Sequence, residues 1–417
     1  MGERGLSVTS TIAACFGAAM LLFASPARAD DWPRWRGPAG DGISRETGLM
    51  EQWPKTLTPL WTAQVGQGFA GPVARAGHVF CFSLIDGRDT LTCYDAQNGD
   101  VVWTESYAGG WSGNYPGTRA TPYIEGDRIY TFGGNGDLVA RDVKSGKQLW
   151  HLNVLRETRT RPQSWAAASN PLIDGNTIYV QTGTGGRVAV GVDKNTGQLV
   201  WRAQAEASAA YAHPILADVQ GRKQLIVFAA EGPFGIDPAN GRTIWRKDWK
   251  NGPEVNASDP IYRDGHLFIT SAYGRGSVML RLTAKGAQEL WENGDVEGRF
   301  QPGILDGDYL YVNSEGTLKC LKWPEKNVVW STRRQDSNLL GLGGSTIRFG
   351  KERMILLSQS GRLTLARVTP KGFEQLMSIP DVVEGSEVWA APAISDGKLY
   401  VKGQNELVCL DIRGKGQ

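Results

Sequence analysis

The sequence predicts an all-β fold: an eight-bladed β-propeller of four-stranded antiparallel blades, with the ring closed by an N-terminal strand. Three observations carry the prediction. A D-x-x-x-G-x-x-x-W phrase recurs at Asp95–Trp103, Asp142–Trp150, Asp193–Trp201 and Asp237–Trp245. Trp61, Trp291 and Trp330 extend the series, and Leu376 stands in the equivalent place of a degenerate unit, at gaps of 39 to 51 residues. Within each unit, β-branched and aromatic runs such as "RIYTF", "TIYVQ", "YLYVN" and "KLYVK" alternate with turn dipeptides, which is the pattern of strands joined by hairpins. Prolines open the units at Pro72, Pro122, Pro171, Pro214, Pro260, Pro302 and Pro392, and one further unit near Gly344 lacks its proline, which makes eight. Four-stranded sheets at this period bury their faces against one another in a ring.

The elements follow in chain order. Residues 1–29 hold an apolar run from Ile12 to Phe23 and end in Ala27-Arg28-Ala29, the anatomy of a secretory signal cut near Ala29. A periplasmic or secreted location is therefore expected. Cys15 precedes the greasy stretch where a lipoprotein signal would have it follow. No other segment approaches the roughly 18 apolar residues of a membrane span. Residues 30–57 form a leader, "DWPRWRGPAGDGISRETGLMEQWP" at its centre, whose Trp32, Trp35 and Trp53 are expected to pack across a propeller face, with an interaction arm as the alternative. Residues 58–417 form the propeller. Its last unit, "APAISDGKLYVKGQNELVCLDIRGKGQ", stops after three strands, whereas "TPLWTAQV" at Thr58–Val65 is a fourth strand without a blade, so the two should close the ring.

Inside a unit the first turn is an Asp-Gly pair, as at Asp174-Gly175, Asp264-Gly265, Asp306-Gly307 and Asp396-Gly397, which supplies the positive φ of a tight hairpin. The last turn is the repeated phrase itself, with a glycine that tolerates the left-handed conformation. Its tryptophan is core first. Burying a side chain of this size removes 150–250 Å² from water, on the order of 4 kcal/mol at about 25 cal/mol per Å².

Composition narrows the function classes. With 53 glycines, 15 tryptophans and 20 prolines, the chain is turn-rich and aromatic, unlike a disordered chain or a coiled coil. Beyond Ala29 it carries 43 basic and 42 acidic residues, a balance that gives no support for nucleic acid as a partner. Cys93, Cys320 and Cys409 share one repeat position, where other units have Ala140, Gly191 or Gly235, a small buried slot. Cys81 and Cys93 flank a turn near Gly87; a disulfide between them and two free thiols both remain open at this point.

The phrase closing four-stranded units resembles the tryptophan-docking repeat of pyrroloquinoline-quinone-type propellers over about residues 58–412. Two branches share that repeat: quinoprotein alcohol dehydrogenases, which hold the quinone and calcium, and cofactor-free propellers of the BamB type, which support outer-membrane protein assembly. The dehydrogenase resemblance would imply a calcium held by Glu and Asn, a catalytic Asp and an adjacent cysteine pair. No adjacent cysteines occur here, and no C-x-x-C-H follows. "LTAKGAQELW", "KWPEKNVVW" and "VTPKGFEQL" also drift from the repeat, as a scaffold can.

Motif by motif, chemistry finds little support. "GQGFAG" at Gly66–Gly71 fits G-x-G-x-x-G but leads into Pro72 and a strand, where a nucleotide site needs a helix N-terminus. "TGTGGR" at Thr182–Arg187 reads as a hairpin. The four histidines lack metal-pair spacing, and no G-x-S-x-G elbow occurs. The segments before each first strand should instead gather at one mouth of the central channel, a usual place for ligands. They bring together Arg119, Trp165, Asn170, Tyr211, His213, Asn256, Asp259, Arg299, Gln301, Glu387 and Trp389. Such a set suits an anionic planar molecule or a peptide, and equally the polar wall of a wet channel. The insertion "SYAGGWSGNYPGTR" at Ser106–Arg119 adds Trp111 and Tyr115, either as a partner contact or as a cap on the channel.

The expected function is a non-catalytic binding scaffold of the BamB type, without metal or cofactor and with protein partners in the cell envelope. Two alternatives stand beside it. One is a quinone- and calcium-dependent oxidoreductase with Asp259 as base and Asn256 and Arg299 nearby; the other is a polysaccharide-binding propeller.

Overall fold

Eight sheets follow one another in the computed structural model, which describes residues 1–2, 31–332 and 339–414. The expected signal segment thus lies, from residue 3 onward, outside the described residues. Blades 1 to 7 cover residues 73–108, 123–153, 172–202, 215–246, 261–293, 304–331 and 345–379. Blade 8 takes three strands from 393–411, and its fourth is Pro59–Gln64, antiparallel to Glu406–Asp411 with Trp61 opposite Cys409. The ring closes as the sequence predicts.

Register and contact explain the repeated phrase. Trp103, Trp150, Trp201, Trp245 and Trp330 lie opposite Cys93, Ala140, Gly191, Gly235 and Cys320, each beside a one-residue register shift. In these five blades the slot is small because the indole covers it: a Cβ at Gly191 would meet Trp201 at 2.6 Å, whereas blade 5 sets Met279 opposite Trp291. The same indole reaches the next blade. A Cβ at the turn glycines Gly146, Gly197 or Gly241 would meet Trp103, Trp150 or Trp201 at 2.7 Å. Nε1 of Trp150 and of Trp201 donates to Lys194 O and Pro238 O in that neighbouring turn, 2.9 Å each. The aspartate shapes the turn, since Asp142 Oδ1 accepts from the backbone N–H of Lys144 and Ser145 and from the Ser145 hydroxyl. Trp61 repeats the contact across the closure, over Gly99 at 2.8 Å and onto Ala96 O at 3.2 Å.

Three expectations change. In blade 7 the tight turn between Thr369 and Gly372 sets a register in which Met377, not Leu376, faces Leu365 and so holds the position that tryptophan has elsewhere. Cys81 pairs with Thr92 while Cys93 pairs with Phe80, an offset of one residue that sends the two thiols to opposite faces of the sheet. Both are free and buried; burial pushes the Cys81 thiol up to about 11 and the Cys93 thiol up to about 12. The third change concerns the leader.

Trp32 and Trp53 are buried, in one apolar cluster with blades 1, 7 and 8, but Trp35 does not lie across a face with them. The leader starts beside blade 1, where Trp32 N and Ala74 O lie 2.8 Å apart, and touches blade 2 through the bond from Ile124 N to Pro33 O. It then sends Trp35 to Asp259 and Arg36 to Gly303 O, at 2.7 and 2.6 Å. Ile43–Ser44 adds a short parallel strand to Ser345–Phe349 of blade 7, and Glu46 accepts from Asp396 N and Gly397 N of blade 8. One segment therefore ties six blades together. Among the described residues, no helix is long and apolar enough to cross a membrane.

Candidate functional site

A cavity of about 340 Å³ opens on the propeller axis. Each of the eight segments that precede a first strand contributes to its wall, from Phe69 before blade 1 to Trp389 before blade 8, and leader residue Trp35 joins them from within the channel. The leader thus reaches the same cavity as the inter-blade segments.

Of the eleven residues read from the sequence, Arg119, Trp165, Asn170, Tyr211, Asp259, Arg299, Gln301 and Trp389 line this cavity. Three do not. His213 lies buried behind the wall, its Nδ1 bonded to Asn170 O at 2.8 Å. Burial, with the charges of Arg34 and Arg36, pushes its pKa down to about 3, so the imidazole is neutral. Asn256 is fully buried and spends its amide on Ala229 O at 2.7 Å and on Asn251 and Ser271 at 3.1 and 2.5 Å. Glu387 turns aside to accept from Gln404.

The walls are mainly aromatic. Trp389 sits among Phe69, Tyr115 and Phe300, with ring centroids 5.1, 5.4 and 4.9 Å away, and Trp165 meets Tyr211 edge-on at 6.1 Å. Tyr115, Tyr273 and Leu342 form an exposed rim, each 41% accessible. Sequence reading missed several of these residues for identifiable reasons. Phe69 was inside a segment weighed only as a nucleotide loop, Leu342 precedes the blade without a proline, and Tyr273 belongs to a hairpin instead of an inter-blade segment. Tyr115 of the insertion lines the mouth, and Trp111 does not.

Two arginines differ in how they are matched. Arg299 forms a forked pair with Glu315 at 3.0 and 2.7 Å and lies over Tyr273. Arg119 bonds backbone carbonyls of Gly117, Asn114 and Tyr115 and lies over Phe69 at 5.5 Å. Burial pulls its pKa down to about 10, still far above neutrality.

Asp259 is the carboxylate of the floor. Oδ1 accepts from His213 N and Oδ2 from Trp35 Nε1, both at 2.7 Å. Burial pushes its pKa up to about 6, against the pull of these donors and of Arg36. A quinone with calcium does not fit this arrangement. Both oxygens of Asp259 already accept hydrogen bonds, the Asn256 amide is consumed inside the blade, and among the described residues no group of three His, Cys, Asp or Glu side chains is placed to hold a metal. The four described cysteines are buried in the blades.

The chain is similar to proteins of both branches. It is 25% identical to the outer membrane protein assembly factor BamB of Alkalilimnicola ehrlichii over 217 residues, 49% of this chain and 51% of that protein. The corresponding protein of Shewanella oneidensis is 21% identical over 402 residues, 83% of this chain and 86% of its own length. Quinoprotein alcohol dehydrogenase PedH of Pseudomonas putida is 27% identical over 188 residues, 42% of this chain and 29% of that protein. The chain thus spans about half the length of the first of these relatives and less than a third of the dehydrogenase. In fold it resembles BamB from Moraxella catarrhalis, with a TM-score of 0.61 at 15% identity over 87% of this chain and 99% of that one. It resembles the quinohemoprotein alcohol dehydrogenase of Comamonas testosteroni with a TM-score of 0.67 at 14% identity, over 93% and 81%. The family model described as outer membrane protein assembly factor BamB matches residues 44–165 and 159–332, well over half of the sequence. The chain belongs to that family of pyrroloquinoline-quinone-like β-propellers.

Proposed function

We propose that this protein is a non-catalytic binding propeller of the cell envelope, acting on protein partners in outer-membrane protein assembly as its BamB relatives are named for. One observation carries the reading. The leader enters the channel, places Trp35 on Asp259 and Arg36 on Gly303 O, and thereby takes up the one carboxylate that the oxidoreductase alternative would use as base. What is left facing outward is an aromatic mouth with an apolar rim, the composition of a contact surface. The signal-like first 29 residues support a periplasmic or secreted location.

A photoreactive phenylalanine analogue at Tyr115, Tyr273 or Leu342 tests this in the native host. The expected result is a discrete protein adduct from the rim positions, and none from Val200, which is exposed on the outer strand of blade 3. Adducts from Val200 alone would contradict the reading and move the contact to the blade edge.

A further inference from the structure

We infer that the mouth binds an aromatic monocarboxylate, with its ring among Phe69, Tyr115 and Trp389 and its carboxylate on Arg119. The inference rests on the reading of the mouth as a binding site and adds its ligand class.

Charge is the first argument. Glu315 neutralises Arg299, whereas among the described residues no carboxylate lies within salt-bridge distance, 4.0 Å, of Arg119. Arg119 is no loose surface cation. Three of its N–H groups are committed to the carbonyls of Gly117, Asn114 and Tyr115. A guanidinium carries five, so the Nε–H and one Nη1–H remain; they lie on different edges of the group, and a carboxylate oxygen can take either. The group is half-buried and held against Phe69 and Trp111, 5.5 and 6.0 Å from their ring centres. An anion arriving there meets a fixed positive charge held in no ion pair and opposed at longer range by Asp89, a setting that favours a charge-assisted hydrogen bond.

The remaining wall decides what the anion is attached to. Several of its polar atoms are already engaged: Asn170 Oδ1 accepts from Thr121 N, Gln301 Nε2 donates to Trp389 O, and both oxygens of Asp259 are taken, while Trp389 Nε1 is a buried donor without a partner. A sugar would give up the water on its hydroxyls and find few partners, at a cost for each unpaired group. A polyacid would bring several negative charges to one free cation and to the carboxylate of Asp259. An apolar ring with a single carboxylate avoids both costs, and aromatic side chains receive it in tilted or offset contacts.

The same chemistry has two sources, a free aromatic acid or the aromatic carboxy-terminal residue of a polypeptide, and the experiment separates them. The purified protein is titrated by calorimetry with 3-phenylpropionate, with its amide, and with a pentapeptide ending in phenylalanine whose terminus is free or amidated. The acid is expected to bind at least about tenfold more tightly than the amide, the loss that follows removal of a charge-assisted pair. Arg119→Gln should erase the difference and Arg119→Lys should keep part of it. Since Arg119 also ties the insertion together, the comparison of acid with amide on the unaltered protein stands without any variant. Binding of the acid but not of the peptide supports a small-molecule ligand; a preference for the peptide with a free terminus supports a polypeptide ligand. Equal affinity of acid and amide, or no heat from any of the four at millimolar concentration, overturns the inference. If rim positions still give protein adducts in that case, the ligand class fails while the partner-binding reading stands.

Discussion

A chain that begins at Gly66 is expected to lose the single cooperative unfolding transition of one that begins at Asp30. The truncation removes the fourth strand of blade 8 and, with it, the tryptophan that covers Gly99 of blade 1. It also strips Trp32 and Trp53 from the cluster shared by blades 1, 7 and 8. Three buried tryptophans at roughly 4 kcal/mol each amount to about as much as the whole net stability of an ordinary domain, about 5–15 kcal/mol. The edge left on Glu406–Asp411 would add an unpaired strand, and an unpaired strand invites aggregation. Differential scanning calorimetry of the two chains decides the matter. A sharp transition at an unchanged temperature in the shorter chain would show that neither leader nor closing strand holds the ring.

Replacing Asp89 by asparagine is expected to stabilise the protein above neutral pH. Asp89 is fully buried beneath the insertion, close to the backbone of Gly110 and Gly133. Oδ2 accepts a bond from Tyr107 at 3.3 Å, and Oδ1 has no partner. Burial first, and the nearby Asp137 charge after it, raise its pKa from 3.8 to about 7, against the opposing pull of the Tyr107 bond and Arg119. The folded protein thus holds this proton more tightly than the unfolded chain. Stability must fall as pH rises from about 4 to about 7 and stay flat, for this group, above that. The full loss is on the order of 4 kcal/mol, and an asparagine, which cannot ionise, should recover about half of it while leaving its own amide incompletely bonded. Urea unfolding at pH 5 and pH 8 measures it: the gap between Asp89→Asn and the parent should open at pH 8 and shrink at pH 5. An equal effect at both pH values would mean that Asp89 is not titrating in this window.

The repeat made the architecture legible because its signal is local. Asp142, Gly146 and Trp150 lie within nine residues, and the turn, the slot and the indole they define recur in sequence. Where that local signal weakened, reading went astray by one residue, as with Met377 against Leu376. A one-residue difference across the hairpin also decided against a bridge between Cys81 and Cys93, since it reverses the face each side chain takes. The mouth was partly legible, because proline-marked segments gather on one side of any propeller, and eight of the eleven named residues line the cavity. The leader was not. Trp35 meets Asp259 across 224 residues and Arg36 meets Gly303 across 267, and nothing in the composition of "DWPRWRG" says which loop it will reach. The Trp35 contact changes Asp259 from a free base into a carboxylate with both oxygens bonded.

The most direct measurement is titration of the protein with pyrroloquinoline quinone and calcium, followed by thermal unfolding and by absorbance. A ligand in a hundredfold excess over its dissociation constant stabilises the folded state by about 2.7 kcal/mol. With Trp35 bonded to Asp259 and both Asp259 oxygens engaged, the unfolding temperature and the quinone spectrum are expected to stay unchanged. A raised unfolding temperature together with dye-linked oxidation of an alcohol, both lost in Asp259→Asn, would contradict it and make the mouth an active site.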